Sequence, residues 1–326
     1  MKKMIRLTSV ILSVVILLSA ISIVVSAEGI NYKNFKGFVY TDNDVKDGCV
    51  RITNYKGKKT KVTIPKKIKG KKVVRMTGFG KIKQLHIPNG IQVMYIAKAK
   101  NLKKITVNKS NKKYSVKNNL LLNKKKTILY GCPRKNTNPK IPKTVKTIEH
   151  SAFVGATFEK IKLPNNLKTI GIYAFANCKK LGSIELPSKL KNIEGQAFWG
   201  CNSLKEVEIP DSVTSMGSFV FGECKNLEKV TLGKGMKYLN DTFFYSKLKV
   251  VEIPETVERI NGEAFSEFDP IERVYIYNKN CKIYYNEFTE DIIFCAIPEN
   301  VTIYGYEHST AQKYAKKNGN EFVVLK

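Results

Sequence analysis

Three cysteines recur at a fixed interval. Cys178, Cys201 and Cys224 are each 23 residues apart, and each stands three residues before a leucine (Leu181, Leu204, Leu227). A thiol can ligate metal, form a disulfide or fill apolar space, and the spacing separates these roles. Zinc sites draw on close pairs such as C-x2-C, or on cysteine mixed with histidine, and neither surrounds these residues. Stacked copies about 5 Å apart satisfy disulfide distance, but three in a column cannot all pair. In the unit before Cys178 the same place holds Ala156. An alanine there marks the column as buried filler, a common setting for a free cysteine.

Other reactive residues offer less. Cys281 and Cys295 lie 14 apart and are placed either to bridge in an exported protein or to remain thiols. Cys49 and Cys132 are too distant to judge, and seven is an odd number, so at least one thiol lacks a partner within the chain. His86, His150 and His308 are far apart; His86, between Leu85 and Ile87, points away from a strand's apolar side. No nucleophile elbow, H-E-x-x-H, P-loop or dinucleotide fingerprint is present. Glu185 and Glu208 hold the same outward place in consecutive units, and carboxylates about 5 Å apart are the arrangement of a retaining glycosidase. On an open face nothing would split their pKa values, so they read as solvated surface. The sequence points to no catalytic residue, metal or cofactor.

What positions these residues is a period. Apolar-x-apolar triplets recur as Val62-Thr-Ile64, Leu85-His-Ile87, Ile105-Thr-Val107, Ile161-Lys-Leu163 and Ile184-Glu-Leu186. They continue as Val207-Glu-Ile209, Val230-Thr-Leu232, Val251-Glu-Ile253, Val274-Tyr-Ile276 and Val301-Thr-Ile303, most of them followed by proline. Alternation puts both apolar residues of a triplet on one side, and proline ends the strand by withholding an N–H. Each regular unit adds a second pair, as in Leu167-Lys-Thr-Ile170, and an Ala-Phe or similar pair such as Ala174-Phe175 or Ala197-Phe198. One unit cannot bury these residues, whereas stacked units place them in continuous ladders about 4.8 Å apart. The predicted fold is a repeat solenoid of short parallel strands.

The unit L-K-x-I-x-x-x-A-F-x-x-C-x-x-L-x-x-I-x-I-P resembles the 23-residue leucine-rich repeat of BspA-type bacterial surface proteins, the TpLRR class. The likeness is close over residues 145–277 and weaker over 60–107, where Phe79, Leu85 and Ile87 persist without a cysteine. It implies an N-terminal cap over 28–60 and degenerate repeats over 61–107, after the signal peptide read in residues 1–27. A hairpin insertion over 108–140, regular leucine-rich repeats over 141–277 and a C-terminal cap over 278–326 complete the organisation. In that cap, Ser309 with Gln312 forms a capping-box pattern, Asn318-Gly319 suits a left-handed helix end, and Phe322 to Leu325 can pair with the last rung.

Solenoids bind along broad faces, so the outward column of the strands is the candidate ligand-binding face. It contains Lys162, Glu185, Glu208, Thr231, Glu252 and Tyr275, continuing back to His86 and Thr106, with Arg273 in the flanking column. Trp199 and Tyr245, at equivalent turn positions, either cover a ladder edge or offer exposed aromatic contacts.

Compartment and charge narrow the partners. Residues 1–27 carry Lys2, Lys3 and Arg6, an apolar run and a "VSA" ending, the pattern of a secretory signal cleaved after Ala27; an uncleaved anchor is the alternative. Residues 28–140 hold 30 Lys and Arg against 4 acids, and no acid stands between Asp47 and Glu149. Residues 141–326 are nearly balanced, at 24 against 23. The basic half implies an anionic wall polymer, acidic glycan or extracellular nucleic acid, and export argues against cytosolic nucleic acid. The expectation is an exported, non-catalytic binding module for cell-surface adhesion or protein and glycan interaction. The competing expectation is an envelope-retained structural protein held on wall polymers by its basic half.

Overall fold

The computed structural model describes residues 32–42, 48–94, 96, 99–240, 242–243, 246–261, 264–265, 271–289 and 292–326, with backbone alone for 285–289 and 292–295. The signal segment and Tyr245 lie outside the described residues. The chain winds as a solenoid of mostly parallel short strands, closed by one helix and a final strand.

The apolar-x-apolar triplets build one side. Lys61–Thr63, Gln84–Ile87 and Lys104–Val107 pair in parallel, with Val62, Leu85 and Ile105 in register. A second run pairs Glu206–Glu208, Lys229–Thr231, Val250–Ile253, Arg273–Ile276, Thr302–Gly305 and Phe322–Val324. Between the two runs the expectation of a strand in every unit fails. Around Lys162 and Glu185, residues 160–164 and 183–187 form no strand, although Ile161 and Ile184 still point inward. The preceding stretch, 132–142, contains Pro133, Pro139 and Pro142 and forms no strand either. Those prolines have no N–H to give a ladder in that stretch.

The second side is a ladder of two-residue strands. Thr147–Ile148, Thr169–Ile170, Asn192–Ile193 and Ser215–Met216 run in parallel, and Ile128–Gly131 is their first rung. The insertion is thus more than a hairpin. Tyr114–Lys117 and Leu120–Asn123 are antiparallel, turning through Asn118 and Asn119 at φ 53° and 61°, and the third strand feeds the array. A two-residue loop with both central residues left-handed matches strand twist, and asparagine tolerates that conformation.

The Ala-Phe pairs form the third side. Phe153, Phe175, Phe198 and Phe221 stack face to face with centroids 5.2, 5.2 and 5.6 Å apart. Backbone bonds cross the units here as well: Phe153, Phe175 and Phe198 donate to Ala174, Ala197 and Val220 at 2.8 to 2.9 Å. Cys178, Cys201 and Cys224 are fully buried beside the stack. Each thiol donates to the carbonyl of a phenylalanine in the preceding unit, Phe153, Phe175 and Phe198 respectively, at 3.1 to 3.2 Å.

The interior divides in two. Leu121 belongs to the core of the first repeats with Ile105 and Tyr114, while Leu120 and Leu122 belong to the core running on through Phe153 to the C-terminus. Strand Leu120–Asn123 is therefore a wall with a core on each side.

At the far end, Ser309 caps helix Thr310–Asn318 by accepting from the Gln312 N–H, and Gly319 ends it at φ 78°. The Gln312 side chain returns to the N–H of His308 rather than to the cap residue. Phe322–Val324 covers the last rung, with Ile303 paired to Phe322. An antiparallel pair, Tyr285–Thr289 with Ile292–Cys295, interrupts the final unit, which the sequence reading did not foresee.

Candidate binding surface

The outward column is continuous only over the C-terminal run. Glu208 is paired to Thr231, Thr231 to Glu252, Glu252 to Tyr275 and Tyr275 to Tyr304. Arg273, exposed, lies between Val250 and Thr302 in the flanking column, where Glu206 also pairs with Lys229. Lys162 and Glu185 are exposed but stand on the two segments that contribute no rung. In the first run, His86 Nδ1 lies 2.9 Å from Thr106 Oγ1, and Lys61 and Lys104 flank Gln84.

The end of the column is aromatic. The rings of Tyr275 and Tyr304 stack at 4.3 Å and 17°, and Tyr277 lies over Tyr275 at 6.4 Å. Partial burial, then the charge of Glu252, raises the Tyr277 phenol above its ordinary value. Lys279 sits 5.2 Å over the Tyr306 ring. Four half-buried tyrosines, a carboxylate and two cations thus share one patch, apolar in its rings and polar in its rim.

Sequence reasoning placed Glu252, Arg273 and Tyr275 on the outward face but did not place Tyr304 beside them. It aligned Val301-Thr302-Ile303 with Val274-Tyr275-Ile276, whereas the structure pairs Val274 with Ile303 and Tyr275 with Tyr304. A two-residue slip preserves the alternation of sides, and Val301 and Ile303 are both buried, so the pattern satisfied either register. The signal available was Gly305. A Cβ there would lie 3.2 Å from Ala311 and from the Phe322 ring, marking the position pressed against the helix.

A family pattern described as the BspA type leucine rich repeat region matches residues 124–250 and 168–294, in six copies. The chain belongs to this family. Among solved structures it is similar to the pneumococcal vaccine antigen PcpA, at 18% identity over 91% of this chain and 99% of that one, with a TM-score of 0.48. It is also similar to a leucine-rich repeat protein from Eubacterium ventriosum, at 22% identity over 82% and 65%, TM-score 0.44. The T. pallidum leucine-rich repeat protein TpLRR matches at 21% over 66% and 89%, TM-score 0.32. No curated protein matches the chain.

Elsewhere in this BspA-type array, Trp199 is half-buried on the turn side, edge-on to Phe219 at 6.3 Å, away from the sheet face. Arg259 lies between the rings of Tyr238 and Tyr284, at 5.7 and 5.0 Å, on the short-strand side. Among the described residues no helix is long and apolar enough to cross a membrane.

Proposed function

We propose that the chain is an exported, non-catalytic binding module that engages a protein or glycan on a cell surface through the C-terminal part of its sheet face. The stacked pair Tyr275 and Tyr304, with Tyr277 beside them, carries this reading. Tyrosine supplies a large amphipathic contact at low entropy cost and is enriched where binding energy concentrates. The candidate face is then Glu208, Thr231, Glu252, Arg273 and Tyr275, extended by Tyr304; Lys162 and Glu185 lie on its approach, and Trp199 belongs to a separate surface. The leader-like sequence of residues 1–27 supports export, and membership of the BspA-type family supports placement at the surface.

The test is binding of the full chain to immobilised mucin and to a glycan array, with Tyr275→Ala/Tyr304→Ala compared against Lys162→Ala. Loss of about tenfold or more in the tyrosine variant alone is expected. Equal binding by both variants would reject the face. A second reading, retention on anionic polymers by residues 28–140, is favoured by the 30 basic residues there against 4 acids.

A further inference from the structure

The insertion makes a cleft of about 580 Å³ where it meets the first repeats. Lys103, Lys135 and Lys140 line it together with Asn118, Asn119 and Asn138. The three lysines are exposed, and no ion pair engages them among the described residues. No acidic residue occurs from 48 to 148 to neutralise them locally.

The walls are fixed from the backbone. The Asn118 side-chain amide donates to the carbonyl of Lys140 at 2.8 Å, and that of Asn119 donates to the carbonyl of Lys103 at 2.7 Å. The Asn119 side-chain oxygen accepts from the N–H of Ile105 at 3.0 Å. The left-handed turn thus clamps the roots of two of the lysines from opposite sides. The backbone carrying two of the lysines is ordered before any ligand arrives, which removes that part of the ordering cost of binding.

The lining also restricts the ligand. Ammonium groups act as point charges and suit oxyanions without demanding planar, bidentate geometry. The volume falls in the range of small-molecule sites. No aromatic ring lines the cleft, so it lacks the stacking platform that single-stranded nucleic acids use. We propose that this cleft binds a sugar or polyol unit bearing tetrahedral oxyanions, as phosphate or sulfate esters, within a longer polymer. The inference rests on the second reading above and gives it an address.

The experiment titrates the full chain with a glycerol-phosphate oligomer, a sulfated oligosaccharide and neutral dextran, across a salt series. Three variants are compared with the unaltered chain. Lys103→Gln/Lys135→Gln/Lys140→Gln removes the cleft charges, and Lys58→Gln/Lys59→Gln/Lys66→Gln removes three exposed charges elsewhere in the basic half. Asn119→Gly removes the Lys103 half of the clamp, at a left-handed position that glycine adopts freely, and keeps the net charge. Binding of at least one anionic oligomer is expected, weakened about tenfold or more by the cleft variant and flattened in its salt slope by about 2. Asn119→Gly should weaken it too, and the remote variant much less. If the triple cleft variant does not fold, Lys135→Gln and Lys140→Gln are read singly. Equal losses in both lysine variants would leave retention standing and overturn the cleft. No binding to either anionic oligomer overturns both, and whichever oligomer binds more tightly identifies the source of the oxyanion.

Discussion

The Cys201 thiol donates to the Phe175 carbonyl oxygen, 3.2 Å away in the preceding unit, and that same oxygen also accepts the N–H of Cys178. The column of cysteines is therefore filler with a direction: each side chain fills its own unit and satisfies a carbonyl of the unit before. Alanine at 201 removes that bond and leaves a small void. Cys201→Ala should lower stability by about 1–2 kcal/mol, read as a fall in the urea midpoint at unchanged slope.

The thiols should be silent in the folded chain. Burial pushes Cys132, Cys178 and Cys281 up to about 12, and Cys201 also well above its ordinary value. Since the thiolate is the reactive form, iodoacetamide at pH 8 should leave these four unmodified until denaturant is added. Because the folded pKa of Cys132, Cys178 and Cys281 exceeds the unfolded value of 9, their contribution is whole below pH 9 and lost as pH rises to about 12. Rapid native-state labelling of Cys178, mapped by mass spectrometry, would contradict the packing described.

Asp42 follows strand Phe38–Thr41, which lies between Lys33–Phe35 and Cys49–Tyr55 in the sheet that opens the chain and continues to Lys71–Met76, and it sets an acid limit on that sheet. Hydrogen bonds from Lys71 and Lys33, outweighing a small desolvation effect, lower its carboxyl to about 2. A depressed folded pKa gives stability that is present above the unfolded value of 3.8 and lost as pH falls through about 2. Asp42→Asn should therefore lower Tm at pH 7, with the gap from the unaltered chain closing between pH 4 and 2. A gap that stays constant across that range would remove the pair from any account of stability.

Because Leu121 and Leu122 face different cores, their losses should be felt on different sides. Leu→Ala at a buried site costs about 2–5 kcal/mol. Leu121→Ala should speed hydrogen exchange mainly in strands Lys61–Thr63, Gln84–Ile87 and Lys104–Val107, and Leu122→Ala mainly in Thr147–Ile148 and Thr169–Ile170. Uniform acceleration along the whole chain in both variants would show a single cooperative core.

The repeat was legible in the sequence because burial imposes it. Leu181, Leu204 and Leu227, the Ala-Phe pairs and the outward Glu208, Thr231 and Glu252 each recur at the period that stacking requires. What escaped was whatever a period cannot encode. That Ile161–Leu163 forms no rung is not visible in its apolar-x-apolar pattern, which matches units that do. The Tyr275–Tyr304 stack depends on a register that alternation leaves open by two residues. The clamp at Asn118 and Asn119 joins backbone groups of Lys103 and Lys140 that no local motif connects.

The missing rungs at residues 160–164 and 183–187 leave the two sides of the solenoid mechanically unequal. The short-strand ladder runs unbroken from Ile128 to Met216, whereas the sheet face has no hydrogen-bonded strands between Val107 and Glu206. The short-strand side is a spine, and fewer inter-unit backbone bonds cross the gap opposite it. A bend across the gap would change the angle between the lysine-rich half and the tyrosine patch while leaving the short-strand ladder intact.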